Sequence, residues 1–223
     1  MKPSISIIVP LLNEADNIKQ LLESLTAILD QEYENPNENK SAIDIIMVDG
    51  GSTDTTVALL KKFDKCQLIS EEACRAKQMN KGAEKANGDI LIFLHADTTL
   101  PENSISLLIN NFWTSDREWG RFDVHIENKH VLFRVIEYMM SLRSELSGIC
   151  TGDQAIFVRK KTFEELSGYA PIPLMEDINL SKRLKQFSRP YCVKEKVITS
   201  SRRWEHAGII KTILTMWQLR LLY

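Results

Sequence analysis

Short apolar runs alternate with helical stripes along the first hundred residues. Residues 4–9 form a β-rich apolar run stopped by Pro10, which predicts a first strand. From Asn13 or Glu14 the spacing changes. Ile18, Leu21, Leu22, Leu25, Ile28 and Leu29 fall on one helical face. Residues 32–41 are polar with one proline and predict a surface loop. Residues 43–48 predict a second strand, running into Asp49-Gly50-Gly51-Ser52-Thr53-Asp54. Ser52 or Asp54 is placed to cap the next helix, whose apolar face is Val57, Leu59, Leu60 and Phe63. A third strand is expected over 66–70. A lysine-rich helix follows over 75–87, with Gly88 as its C-cap. Residues 90–94 are unbroken apolar, which suits a strand buried on both faces of a parallel sheet. The order βαβαβαβ predicts parallel pairing.

The rhythm then loosens. Helices are expected over 102–113, 131–146, 161–166, 175–187 and 208–223, and strands over 119–126, 154–158 and 194–199. No linker interrupts the chain. The expectation is one α/β domain of two halves: about 1–100 for a nucleotide, and about 101–223 shaping a second pocket. Residues 209–223 carry only Lys211 and Arg220 as charges, with too many apolar positions for one narrow stripe. Such a helix calls for cover by a partner, a homo-oligomer interface or a membrane surface. The pattern stops there without a cap, which predicts a longer natural chain.

Composition narrows the class. The 223 residues suffice for one sizeable core, and 43% hydrophobic with 26% charged content is ordinary for a soluble globular protein. A net charge of −2 argues against nucleic acid as a partner. The four cysteines form no CxxC pair. This argues against structural zinc or a disulfide scaffold and for a reducing, cytoplasmic compartment. The first residues do not read as a signal peptide, and no run reaches the ~20 apolar residues of a membrane span.

The 90–94 strand ends in His95-Ala96-Asp97, a carboxylate and an imidazole one residue apart where the chain leaves the sheet. Ligands of open α/β sheets bind beyond the carboxyl ends of the strands. An Asp oxygen suits Mg²⁺ or Mn²⁺, and a His nitrogen suits Mn²⁺ better. The plain alternative is a strand-end turn in which Asp97 caps the helix begun by Pro101.

Four landmarks stand in order: Pro10-Leu11-Leu12-Asn13-Glu14, Val48-Asp49-Gly50-Gly51-Ser52-Thr53-Asp54, Asn87-Gly88-Asp89 running into Phe93-Leu94-His95-Ala96-Asp97, and Met175-Glu176-Asp177. Together they resemble family 2 glycosyltransferases of the GT-A fold, most clearly over residues 4–100. RAKQMNKGA, GDQAIFVRKKTFEELSGY and LMEDINLSKRL resemble one bacterial subgroup, the radical-SAM/selenodomain-associated transferases. The resemblance implies inverting sugar transfer from a nucleotide-diphosphate sugar, UDP-sugars favoured, to an acceptor hydroxyl, with Mn²⁺ or Mg²⁺. It implies nucleotide-sugar contacts from Pro10, Leu11, Asn13, Glu14, Asp49, Arg75, His95, Ala96, Asp97, Arg202 and Arg203. It implies acceptor contacts from Asp153, Gln154 and Trp204, metal ligation by Asp97, His95 and His206, and catalysis by Asp177, the base, with Glu176.

Two positions depart from the family pattern: His95 and Gly50 each replace an aspartate. Plain structural roles stay open beside the implied ones. Asp49 and Asp153 suit turns, Asp177 suits an N-cap, and the dipole of its helix would weaken it as a base. Two rival functions are a nucleotide-binding module without chemistry and a sugar-nucleotide pyrophosphorylase. The second needs a glycine-rich basic loop that PLLNE lacks.

Overall fold

In a computed structural model, which describes residues 2–34, 42–209, 211–213, 215 and 218, the apolar runs build one mixed sheet with helices on both faces. β1 (Ile5–Leu11), β2 (Ile43–Asp49), β3 (Gln67–Ser70) and β4 (Ile90–Phe93) alternate with α1 (Ala15–Glu34), α2 (Thr56–Leu60) and α3 (Arg75–Lys85). The chain continues through β5 (Thr98–Thr99), α4 (Ser104–Leu107), β6 (Trp119–Glu127), α5 (Val131–Ser147) and β7 (Phe157–Arg159). It then forms α6 (Lys160–Glu165), α7 (Glu176–Leu184), β8 (Tyr191–Ser200) and α8 (Arg202–Ala207). The sheet order is β3-β2-β1-β4-β7-β6-β8-β5.

The four strands of the first half are parallel, as their alternation with helices requires. β4 is buried on both faces. Ile90 and Ile92 enter the core under α1 and α4, whereas Leu91 and Phe93 enter the core under α3 and α6. β7 then pairs antiparallel with both β4 and β6. β6 and β8 run parallel, and β5 folds back antiparallel on β8.

Several local expectations shift. The helix expected over 102–113 is a short α-turn followed by a π-helical turn, Leu108–Phe112. The strand expected over 154–158 starts at Phe157, because Gly152–Gln154 form a 3₁₀ turn and Ala155 takes a left-handed φ of 45°. Gly88 is not the C-cap of α3; Ala86, extended, ends that helix. Gly88 is instead where the backbone meets Ser6 too closely for a Cβ. β1 runs through Pro10 to Leu11, and its pairing with β4 stops at Ile8, so the proline's missing N–H is not needed on that side. Residues 35–41 and much of 210–223 lie outside the described residues, so the cover expected for the C-terminal helix lies outside them too.

Candidate active site

β1 leads outward through β2 to β3, and β4 returns on its other side. The strand order therefore reverses at β1/β4, where a crevice opens beyond the strand ends. Three loops meet there.

The first two loops follow β1 and β2 and are stitched by Asn13. Its backbone is left-handed (φ 54°). Its side-chain oxygen accepts from the N–H of Thr53 at 2.8 Å, and its own N–H donates to Ser52 Oγ at 2.9 Å. Glu14 donates its N–H to Thr56 Oγ1 at 2.9 Å and faces Arg202 across 3.5 Å. Asp49 is buried, accepting from the N–H groups of Gly51 and Ser52 at 3.0 and 3.1 Å. Asp54 accepts from the N–H groups of Thr56 and Ala15, and hydrogen bonding to Thr56 holds its carboxyl below the usual range. It thus serves both helix starts, whereas Ser52 serves Asn13. Gln78, buried on α3, ties the two strand ends together by donating to Leu11 O and Val48 O, each at 2.8 Å.

The third loop leaves β4 through His95-Ala96-Asp97. Thr98 donates its N–H back to His95 O at 3.1 Å, and Ser200 of β8 donates to Asp97 O at 3.1 Å. Asp97 is thereby pinned between the centre and the edge of the sheet. His95 Nδ1 lies 3.3 Å from Asp153 Oδ1. Asp153 sits in the 3₁₀ turn after Gly152, and a Cβ on Gly152 would collide with the His95 ring. The Nε2–Cε1 edge of the imidazole packs on Gly152 with no room for a Cβ between them.

α7 brings the acidic pair. Met175 takes a left-handed φ of 64° and starts the helix, placing Glu176 and Asp177 in its first turn. Glu176 is buried and faces Arg75 at 3.4 Å. Asp177 accepts from the N–H of Gly152 at 2.7 Å and from that of Ile178 at 2.7 Å. Burial pushes its carboxyl above the usual range, and the neighbouring charge of Glu176 adds to this. The two N–H donors pull the other way and lose. The shift caused by burial runs opposite to the weakening expected from the helix dipole.

One cleft is lined by Pro10, Glu14, Arg75, His95, Ala96, Asp97, Asp153, Glu176 and Asp177, together with Thr151, Leu174, Met175 and Ile178. The last four were not among the expected site residues, although Leu174, Met175 and Ile178 stand in the LMEDINLSKRL segment. Other expected residues stand outside the lining. Leu11 is core, Asn13 and Asp49 hold the loops, and Arg202 reaches Glu14 from α8. Gln154 is buried and donates to Ser144 Oγ at 3.2 Å. Trp204 is buried with its edge on Phe133, and it borders a smaller hollow shared with Asp97 and Asp153. The side chains of Arg203 and His206 lie outside the described residues. A larger hollow of about 750 Å³, lined by Asn87, Asp89, Trp113 and Arg159 among others, has its charges satisfied. Arg159 donates to Trp113 O at 2.9 Å and Lys160 to Ala86 O at 2.7 Å.

No three His, Cys, Asp or Glu side chains among the described residues converge as a protein-only metal cage. Asp97, with His95 turned onto Asp153, fits a cation that takes most of its shell from phosphate oxygens and water, as Mg²⁺ commonly does.

Residues 6–168 match the family described as glycosyl transferase family 2. The chain belongs to that family. Its GT-A fold is shared with S. aureus TarS at 16% identity and a TM-score of 0.68, over 89% of this chain and 60% of that one. TarS has also been solved with UDP and with UDP-GlcNAc. The Pyrobaculum calidifontis mannosyltransferase PcManGT, solved with GDP-Man and Mn²⁺, superposes with a TM-score of 0.66 at 16% identity, over 89% of this chain and 57% of that one. In sequence, glycosyltransferase AglE of Haloferax volcanii is 33% identical over 101 residues, 43% of this chain and 31% of the relative. The chain thus spans about a third of the length of that relative.

Proposed function

We propose that this protein transfers a sugar, with inversion, from a nucleotide-diphosphate sugar to an acceptor hydroxyl, with Asp177 as the base. One observation carries the reading. The switch-point cleft gathers a buried carboxylate of raised pKa, the Arg75 guanidinium paired with Glu176, and the Asp97 carboxylate. Those are the groups a displacement at an anomeric carbon needs. The acceptor oxygen attacks that carbon while its proton passes to Asp177. The bond from carbon to the diphosphate oxygen breaks, and its electron pair leaves with the diphosphate. Arg75 and Arg202 meet the charge that develops there.

Asp97 and His95 are the residues that would hold a divalent cation, and bound there Mn²⁺ or Mg²⁺ supplies neutralisation of the diphosphate. His95 holds Nδ1 toward Asp153 and its Nε2–Cε1 edge against Gly152, so its ring would have to turn to ligate. The uridine complexes of TarS favour a UDP-sugar, and the GDP-Man complex of PcManGT makes a guanosine donor the comparison. Three segments support the radical-SAM/selenodomain-associated subgroup: RAKQMNKGA, GDQAIFVRKKTFEELSGY and LMEDINLSKRL.

The test is Asp177→Asn. Transfer is expected to fall by more than about 100-fold, since a positioned base contributes on that scale. Nucleotide affinity should stay within a few-fold of wild type. Transfer at near wild-type rate would overturn the assignment.

A further inference from the structure

We propose that Ser181 is a positioning residue for Asp177, holding the segment 150–152 in register with α7 so that Gly152 keeps its bond to the carboxylate. The inference rests on Asp177 as the base. Ser181 lies one helical turn beyond Asp177, is fully buried and does not line the cleft. A serine inside a helix commonly bonds back to the carbonyl four residues earlier and does no more. Ser181 does that, donating its hydroxyl hydrogen to Asp177 O at 2.8 Å, while Cys150 O stands farther off at 3.4 Å. With that hydrogen engaged, the oxygen keeps its lone pairs as acceptors. The N–H of Cys150, buried and on another segment of the chain, donates to it at 3.1 Å.

Spacing gives this second bond its meaning. Thr151 is extended (φ −120°, ψ 156°). The N–H groups of Cys150 and Gly152 therefore point to one side of the segment, about 6.6 Å apart. Four residues of helix rise about 6 Å. The two N–H groups thus match Ser181 and Asp177, with the segment running antiparallel to α7. Cys150 meets Ser181, and Gly152 meets Asp177 Oδ2 at 2.7 Å. Asp177 Oδ1 accepts from Ile178 of its own helix, whereas the donor to Oδ2 comes from outside it. The place of Gly152 therefore sets the direction of the carboxylate. Gln154, farther along, is held by Ser144, which ties the turn to α5. Ser181 ties it to α7 itself. Without the Ser181 hydroxyl, the buried Cys150 N–H loses its acceptor, and a slide of the segment is the way to find another. The same slide carries Gly152 away from Asp177.

The Gly152 amide proton reports on this bond without donor or acceptor. The experiment follows its NMR shift with pH in wild type, Ser181→Ala and Asp177→Asn. The titratable groups whose charge bears on Asp177 are Glu176, which faces Arg75, Asp153, Cys150 and Tyr169, and the His95 ring lies against Gly152. Asp177→Asn removes the component that belongs to Asp177 and so identifies it. In Ser181→Ala that component should lose about half its amplitude or more. Its midpoint should move to higher pH, because a donor to the charged form is lost. In transfer, Ser181→Ala should lower kcat about tenfold with the donor KM within about threefold, since displacing a catalytic group costs rate rather than donor affinity. Added to Asp177→Asn, it should change kcat by less than about twofold, whereas a residue needed only for the fold would lower both backgrounds alike. No Asp177 component in wild type, or one unchanged in Ser181→Ala, overturns the proposal, as does an equal further loss in the Asp177→Asn background. If Ser181→Ala does not melt cooperatively, Ser181→Cys, closer in volume and a weaker acceptor, replaces it. Loss of the fold in both would make Ser181 a structural residue and overturn the proposal too. Transfer surviving in Asp177→Asn sinks the base assignment, whereas an inert Asp177→Asn beside an unaltered Ser181→Ala sinks the positioning alone.

Discussion

Asp177 shows how a side chain's neighbours decide its chemistry. Its position in the first turn of α7 suggests a weak base, yet burial raises its pKa from the model-compound 3.8. The base must be ionised to work. The acidic limb of kcat/KM should therefore have its midpoint above 3.8, with activity lost as pH falls through it, and a midpoint at or below 3.8 would contradict the assignment. The same shift acts on stability with the opposite preference. Because the folded state holds this proton more tightly, stability falls as pH rises from 3.8 through the raised pKa. Urea titrations should show this component in wild type and lose it in Asp177→Asn. Gly152 is the second revealing residue. Gly152→Ala would push the His95 ring off Asp153 and is expected to cost about 1–3 kcal/mol of stability, with weaker Mn²⁺-dependent nucleotide binding. His95, Asp97, Glu176 and Asp177, expected together from the sequence, line one cleft, because strand-end and helix-start positions are legible. Thr151, Leu174, Met175 and Ile178 line the same cleft without having been assigned a role, since nothing in such residue types marks a cleft wall.

Among the elements, the apolar run 90–94 was legible because a strand buried on both faces leaves no polar position to confuse it. Leu91→Ala should destabilise by about 2–5 kcal/mol in urea unfolding. The direction of β7 was not legible. Periodicity reports burial, whereas pairing direction is set by connections made far along the chain. α5 was read as a helix over nearly its true length, but its apolar residues alone did not say which face turns outward. That depended on Glu137 finding Ile126 and Arg134 inside. Gln78 shows how one helix holds the cleft floor. Gln78→Ala removes the side-chain donor from two strand-end carbonyls, Leu11 O and Val48 O. It should cost about 1–3 kcal/mol, seen as a lower midpoint in urea.

At the scale of the molecule, two halves of different build share one sheet. The parallel half supplies the switch point and the loops of Asn13, Asp49 and His95. The 151–154 turn ahead of the antiparallel β7 and α7 ahead of β8 reach the same crevice, so residues of both halves line it. This convergence predicts that nucleotide binding depends on Asp97. The deciding measurement is calorimetric titration of wild type and Asp97→Asn with UDP and with GDP, each with and without Mn²⁺. Mn²⁺-dependent binding of UDP in preference to GDP, lost in folded Asp97→Asn, is the expected result. If folded wild type bound neither nucleotide in the presence of Mn²⁺, or if Asp97→Asn bound as wild type does, the cleft would not be a nucleotide-sugar site.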